Sequence, residues 1–205
     1  VYWQLTFGDT VHVDPVSLRP EMARYTILVD GISKAFAATG VRVGWVLGPS
    51  DVIEAMNGFL SHVGTWAPRA EQVATAALLL HEDAIADFRT SLLAGVQARL
   101  DALYSGMIAL KGAGHDVDAI APQGAIYLSA RFNLFGKSTP EGEVLLTSED
   151  IRGWLLRYSG LAVIPFDAFG AEGESGWFRL SVGSASPEEI DAALPRLELA
   201  LSLLR

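Results

Sequence analysis

No cysteine occurs among the 205 residues, which excludes a disulfide framework and any thiolate metal site and leans towards a reducing, cytoplasmic setting. Basic residues are the scarcer charge: 15 lysines and arginines stand against 24 aspartates and glutamates, for a formal net charge of −9. These cations are scattered along the chain. Neither nucleic acid nor an anionic membrane is therefore expected as a partner, because both demand a concentrated basic face. Long apolar runs are missing as well, and no stretch approaches the roughly 18 residues of a membrane-crossing helix. The histidines, His12, His62, His81 and His115, are too far apart to act as metal ligands from one helix, so no metal site is expected. No basic segment followed by an apolar one opens the chain. What is present is an acidic chain, half of it apolar, long enough to bury one or two cores.

Helical and extended patterns alternate without repeats, which predicts an α/β organisation. Tyr25 to Val29 reads as a buried strand whose C-terminal end delivers Lys34. Open α/β sheets bind ligands just beyond such strand ends. Val41 to Leu47 is a second strand candidate, and Ser50 is the expected N-cap of a helix to about His62. A loop from Gly64 to Pro68 precedes another helix. From about 82 to 111, the residues Ile85, Phe88, Leu92, Val96, Leu100, Leu103, Met107 and Leu110 recur every three or four positions, which predicts one long amphipathic helix. Gly112 and Gly114 stop it. Beyond it, Val117 to Leu128 and Leu161 to Ile164 read as strands, with a helix from about Thr147 to Tyr158 between them. Ser186, Pro187, Glu188 and Glu189 form a capping box that opens a terminal helix to about Leu204. Trp45, Trp66 and Trp177 are expected as packing anchors.

The most informative segment is Ser33 to Trp45, SKAFAATGVRVGW. A lysine becomes a nucleophile towards an aldehyde only when its ammonium loses a proton, and the small, apolar neighbours Ala35, Phe36, Ala37 and Ala38 suit that neutral amine. Eight residues on, Arg42 lies between Gly40 and Gly44, where its planar fork suits a dianionic phosphate. The glycines would let backbone approach a ligand. An aldehyde and a phosphate on one small molecule describe pyridoxal phosphate. The competing reading is a surface lysine followed by an arginine in an Ala/Gly-rich loop.

This segment resembles the cofactor-lysine motif of the fold-type I pyridoxal-phosphate-dependent aminotransferases, the class I/II or aspartate aminotransferase superfamily. Val1 and Tyr2 resemble the end of that family's Asp-Glu-X-Tyr segment. Pro122 to Tyr127 resembles a small-domain strand near the substrate, and Val163 to Pro165, Phe169 to Gly170 and Phe178 to Ser181 resemble the closing signature. The resemblance covers essentially the whole chain. It implies that Lys34 forms a covalent imine and then serves as general base, that Tyr2 hydrogen-bonds the cofactor's ring oxygen, that Arg42 holds the phosphate, and that Arg179 binds the substrate α-carboxylate. Arg179, flanked by Phe178 and Leu180, should point away from those apolar neighbours, towards a cleft or towards bulk solvent.

The resemblance further implies the C-terminal half of a large domain with a mixed, mostly parallel sheet, residues 1–90, and an α+β small domain, residues 91–205, joined by the long helix. The large domain's N-terminal half, with the aspartate that pairs with the pyridine nitrogen, would be missing. The chain alone is thus expected to be inactive and poorly stable. The activity implied is amino-group transfer between an L-amino acid and a 2-oxo acid. A lyase or synthase of the same fold, or a non-catalytic ligand-sensing domain, remains open. A homodimer is implied, with the Gly64 to Glu71 loop reaching the neighbouring site. Gly170 to Gly176 lacks the lysine of a phosphate loop and is expected to be a mobile loop over the active site. Two residues depart from the family pattern: Gly31 stands where many members have a phosphate-binding serine or threonine, and Phe166 stands where a glycine is common.

Overall fold

The computed structural model describes residues 1–64, 66–171, 173 and 176–205. Thr65, Glu172, Glu174 and Ser175 lie outside the described residues, and with them parts of the two loops, Gly64–Glu71 and Gly170–Gly176, for which interface and active-site roles are expected. The chain divides into two compact units, Val1–Leu93 and Ala94–Arg205. Among the described residues no helix is long and apolar enough to cross a membrane.

In the first unit, α1 (Pro15–Leu18) is closed by a capping box between Asp14 and Ser17. A 3-10 turn over Pro20–Tyr25 follows, then β1 (Leu28–Gly31), α2 (Ile32–Ala35) and a second 3-10 turn, Thr39–Val41. β2 (Gly44–Leu47), α3 (Ser50–Val63) and α4 (Arg69–Leu78) complete it. The strand expected from Tyr25 starts at Leu28, because Pro20 pre-sets the turn that absorbs Tyr25. It is also not buried: Val29 is 65% exposed, since no layer among the described residues covers that face. β1 and β2 pair antiparallel, in register from Leu28 opposite Leu47 to Gly31 opposite Gly44. The parallel strands that the resemblance implies are not among the described residues. Helix and small sheet nevertheless alternate as in a partial α/β fold. Ser50 is the first residue of α3 rather than its cap. The extended Pro49 takes the cap position, and its carbonyl accepts the first helical N–H, from Ile53 at 3.0 Å.

The second unit begins within α5 (Glu82–Gly112), a 31-residue helix. Its buried positions, Val96, Leu100, Leu103, Met107 and Leu110, all lie in the Ala94–Arg205 part. Gly114, at φ +97°, turns the chain out of the helix. Then come β3 (Val117–Ala119), β4 (Tyr127–Phe132), α6 (Ser148–Ser159), β5 (Ile164–Pro165), a 3-10 turn over Phe166–Phe169, β6 (Trp177–Ser181) and α7 (Pro187–Ser202). The expected single strand from Val117 to Leu128 is two strands. Pro122 and Gly124 interrupt it, and Ala125 takes a left-handed φ of +61°. The four strands form one antiparallel sheet in the order β3-β4-β6-β5.

Alternation along β4 and β6 sends Leu128, Ala130, Phe132, Phe178 and Leu180 to one face, where they are buried, as are Ile151 and Leu155 of α6 and Leu197 of α7. Phe132 and Phe178 meet edge to face at 5.7 Å. Burying each such side chain contributes roughly 1.5–3 kcal/mol. The capping box expected at Ser186 and Glu189 is present, and a second one at Thr147 and Asp150 opens α6. The Thr147 hydroxyl, with the Leu146 and Thr147 N–H groups, holds the Asp150 carboxyl below its ordinary pKa.

Candidate functional site

The first site is built on the hairpin of β1 and β2. Gly31 opposes Gly44, and the Ile32 N–H donates to Val43 O at 3.3 Å, so residues 32–43 form a closed loop at one end of the strand pair. Two glycines at that closure are a steric requirement. A Cβ on Gly31 would lie 2.9 Å from Val43 O and 3.1 Å from Gly44 Cα, and one on Gly44 would lie 2.8 Å from Asp30 O. The close approach served by Gly44 is therefore between strands rather than to a ligand, and Gly40 has open space around its Cα. The same crowding explains Gly31: this backbone has no room there for a serine.

Lys34 and Arg42 both sit in this loop. Lys34 is the third residue of α2, half-buried beside the buried Ile32 and Ala35. Its carbonyl accepts from the Phe36 N–H and from the Ala37 N–H at 3.2 Å. Among the described residues no carboxylate pairs with its ammonium. Ala37 and Arg42 adopt left-handed backbone, φ +49° and +62°. For residues other than glycine this costs about 1 kcal/mol or more each and is retained where a loop must be shaped. Arg42 is exposed, and one of its Nη1 hydrogens is donated to Thr39 O at 2.9 Å, which steadies the guanidinium and leaves further N–H groups for an anion.

Tyr2 is half-buried, and its carbonyl accepts from the Leu5 N–H at 2.8 Å while Leu5 and Phe7 are buried. Trp3 donates its indole Nε1–H to Asp30 Oδ2 at 2.7 Å, which ties the Tyr2 segment to the end of β1, four residues before Lys34. Tyr2, Lys34 and Arg42 are thus all attached to the loop end of one hairpin. The strained Ala37 and Arg42 and the Trp3–Asp30 bond are absent from the sequence reading. Nothing in an alanine or an arginine signals left-handed backbone, and the Trp3–Asp30 pair is 27 residues apart.

An open cleft of about 580 Å³ in this unit is lined by Asp30, Arg42, Trp45, Met56, Trp66 and Gln72, among others. Of the candidate residues it contains Arg42 alone. Trp66, expected as a packing anchor, is 53% exposed and forms part of the cleft wall.

Arg179 lies in the second unit, on β6, opposite Ser129 of β4 and Ile164 of β5. Phe178 and Leu180 are buried and Arg179 is half-buried on the other face, as the alternation predicts. Its surroundings are aromatic: Cζ is 4.3 Å from the Tyr127 ring centroid and 4.6 Å from that of Phe169. Its Nε is buried and has no hydrogen-bond partner among the described residues. Phe166, the other departure from the family pattern, is half-buried at the start of the turn that ends in Phe169.

Among the described residues the groups present are an amine without a counter-ion, a loop guanidinium, a phenol and a second guanidinium with an unsatisfied donor. The profile of the family described as aminotransferase class I and II matches residues 1–197. The aspartate aminotransferase of Rhizobium meliloti (strain 1021) is 32% identical over 205 residues, which are all of this chain and 47% of that protein. The probable aspartate/prephenate aminotransferase of Rhizobium leguminosarum bv. phaseoli is 32% identical over 199 residues, 97% of this chain and 47% of that one. Among solved structures, the Rhizobium meliloti aspartate aminotransferase matches with a TM-score of 0.86 at 30% identity, over 100% of this chain and 48% of its own. The aromatic aminotransferase of Pyrococcus horikoshii OT3 matches with a TM-score of 0.84 at 29% identity, over 98% of this chain and 49% of its own. The chain therefore spans about half the length of these relatives, and the match falls in about their C-terminal half. The family uses pyridoxal phosphate. On this sequence match and these structural likenesses, the chain belongs to the aminotransferase class I and II family.

Proposed function

We propose that this chain carries the cofactor lysine and the substrate-carboxylate arginine of a pyridoxal-phosphate-dependent aminotransferase, which moves an amino group between an L-amino acid and a 2-oxo acid. The observation that carries the reading is the joint position of Lys34 and Arg42 in the one loop closed by Gly31 and Gly44. The donor set fits the cofactor: Lys34 offers an amine for its aldehyde, Arg42 open N–H groups for its phosphate, and Tyr2 a phenol for its ring oxygen. When bound, pyridoxal phosphate supplies an aldehyde that takes up the amino group and a conjugated ring that accepts electron density from the substrate α-carbon.

This chain's residues do the rest. Arg42, tethered to Thr39 O, orients by charge and by its planar fork. Tyr2 donates or accepts one hydrogen bond at a ring substituent, which tunes the basicity of the adjoining nitrogen. Lys34 Nζ, in its neutral form, takes the proton from the substrate α-carbon. Arg179 receives the α-carboxylate and so fixes which bond at that carbon is labile. As parts of the same proposal, the protein works in the cytoplasm as a homodimer, and the 64–71 loop contributes to the neighbouring site. The cysteine-free sequence and the exposed apolar residues Phe59, Val63 and Trp66 support these points.

The test is a single half-reaction with the full-length protein, loaded with pyridoxal phosphate and given an amino acid without an acceptor. The expected result is about one 2-oxo acid released per site without ammonia, and a fall of roughly 10²–10⁴-fold in its rate on Lys34→Ala. Release of ammonia or of a side-chain fragment would make the protein a lyase. Binding of the amino acid with no product would make it a ligand sensor.

A further inference from the structure

The surroundings of Arg179 hold more than a carboxylate-binding charge. β6 runs between β4 and β5, so this arginine has a neighbouring strand on each side. Tyr127 lies two residues before Ser129, the partner of Arg179, and the two-residue period of a strand puts Tyr127, Ser129 and Arg179 on one face. From the other side, the chain leaves β5 into a 3-10 turn that ends at Phe169. Gly170, at φ +77°, allows the chain to leave that turn, and its N–H donates to Asp167 O at 3.1 Å. Cζ of Arg179 lies 4.3 Å and 4.6 Å from the two ring centroids, well inside the distance of about 6 Å at which a guanidinium is attracted to a ring face.

An arginine presents five N–H donors in its plane. A protein carboxylate beside it would neutralise its charge and occupy the donors that a ligand needs. Aromatic faces do neither, because they attract the cation through its flat side. Among the described residues Arg179 has no ion pair, and its buried Nε–H has no acceptor. A buried donor without a partner is unfavourable unless a ligand supplies one. A carboxylate binds an arginine bidentately either across the two Nη groups or across Nε and one Nη.

We propose that Tyr127 and Phe169 are positioning residues that fix the plane of the Arg179 guanidinium and leave its Nε–H edge to receive the substrate carboxylate side-on. This inference rests on the reading of Arg179 as the carboxylate-binding arginine. Phe169 is 54% exposed, so replacing it changes the support of Arg179 without emptying the core.

The test titrates 2-oxoglutarate into the full-length protein while the Nε–H resonance of Arg179 is followed by ¹⁵N NMR. The variants are Arg179→Ala, Phe169→Leu and Phe169→Tyr. In the unsubstituted protein the Nε–H proton moves downfield at saturation. Phe169→Leu weakens binding on the order of fivefold to tenfold and reduces that shift, and Phe169→Tyr restores both. If Arg179→Ala binds 2-oxoglutarate as tightly as the unsubstituted protein, the carboxylate reading itself fails. If Arg179→Ala loses binding while Phe169→Leu keeps it, or the Nε–H resonance stays fixed at saturation, that reading stands and the positioning inference is overturned.

Discussion

Among the described residues, Val1–Leu93 buries five apolar side chains, whereas Ala94–Arg205 buries twenty-two. The two units do not differ in their supply of apolar residues. α3 is amphipathic over 14 residues, yet none of them is buried. α5 has one continuous apolar spacing, but only its positions from Val96 onward are buried. Periodicity therefore reports that a helix has an apolar face, and not that the same chain covers it. The unit that carries Lys34 leaves its apolar faces open, and the unit that carries Arg179 has a core of its own.

The largest expected effect of this difference is on stability. In the 205-residue chain, Phe178→Ala removes a fully buried ring packed on Phe132 and is expected to cost about 3–5 kcal/mol. Phe59→Ala in α3 removes a ring that is 67% exposed and is expected to stay within about 0.5 kcal/mol. Chemical denaturation measures both. Equal costs would mean that the first unit has a core like that of the second.

A smaller effect is expected at the hairpin. Gly31→Ala drives a methyl group into Val43 O and Gly44 Cα and should destabilise the hairpin by about 1–3 kcal/mol. Gly40→Ala, with nothing within 4 Å of the added carbon, should change little. Hydrogen exchange at Ile32 reads the loop closure directly. If the two substitutions behave alike, the glycine pair is not what closes the Lys34 loop.

Much of this was legible in the letters. Lys34, Arg42 and the three- and four-residue spacing from Ile85 to Leu110 are local patterns, and local patterns survive into the structure as the loop and α5. The capping box at Ser186 and Glu189 did so as well, because a cap depends on four neighbouring residues. The strand limits were less legible. Tyr25 went into a turn begun by a proline five residues earlier, and Val117 to Leu128 broke at Pro122 and Gly124. The burial of Val29 could not be read at all, since burial depends on what lies across the sheet. The same holds for the aromatic setting of Arg179, which brings together Tyr127 and Phe169 from strands and turns separated by more than thirty residues of chain.

The central claim is that Lys34 is the cofactor lysine, and within these 205 residues the lysines it is compared with are Lys111 and Lys137. Lys111 is engaged with Asp118 at 2.6 Å. The full-length protein is incubated with pyridoxal phosphate, reduced with borohydride and mapped by peptide mass. The account predicts a phosphopyridoxyl adduct at Lys34, with Lys111 and Lys137 unmodified, and loss of that adduct in Lys34→Ala. An unmodified Lys34, or an adduct divided evenly among the three lysines, would contradict it.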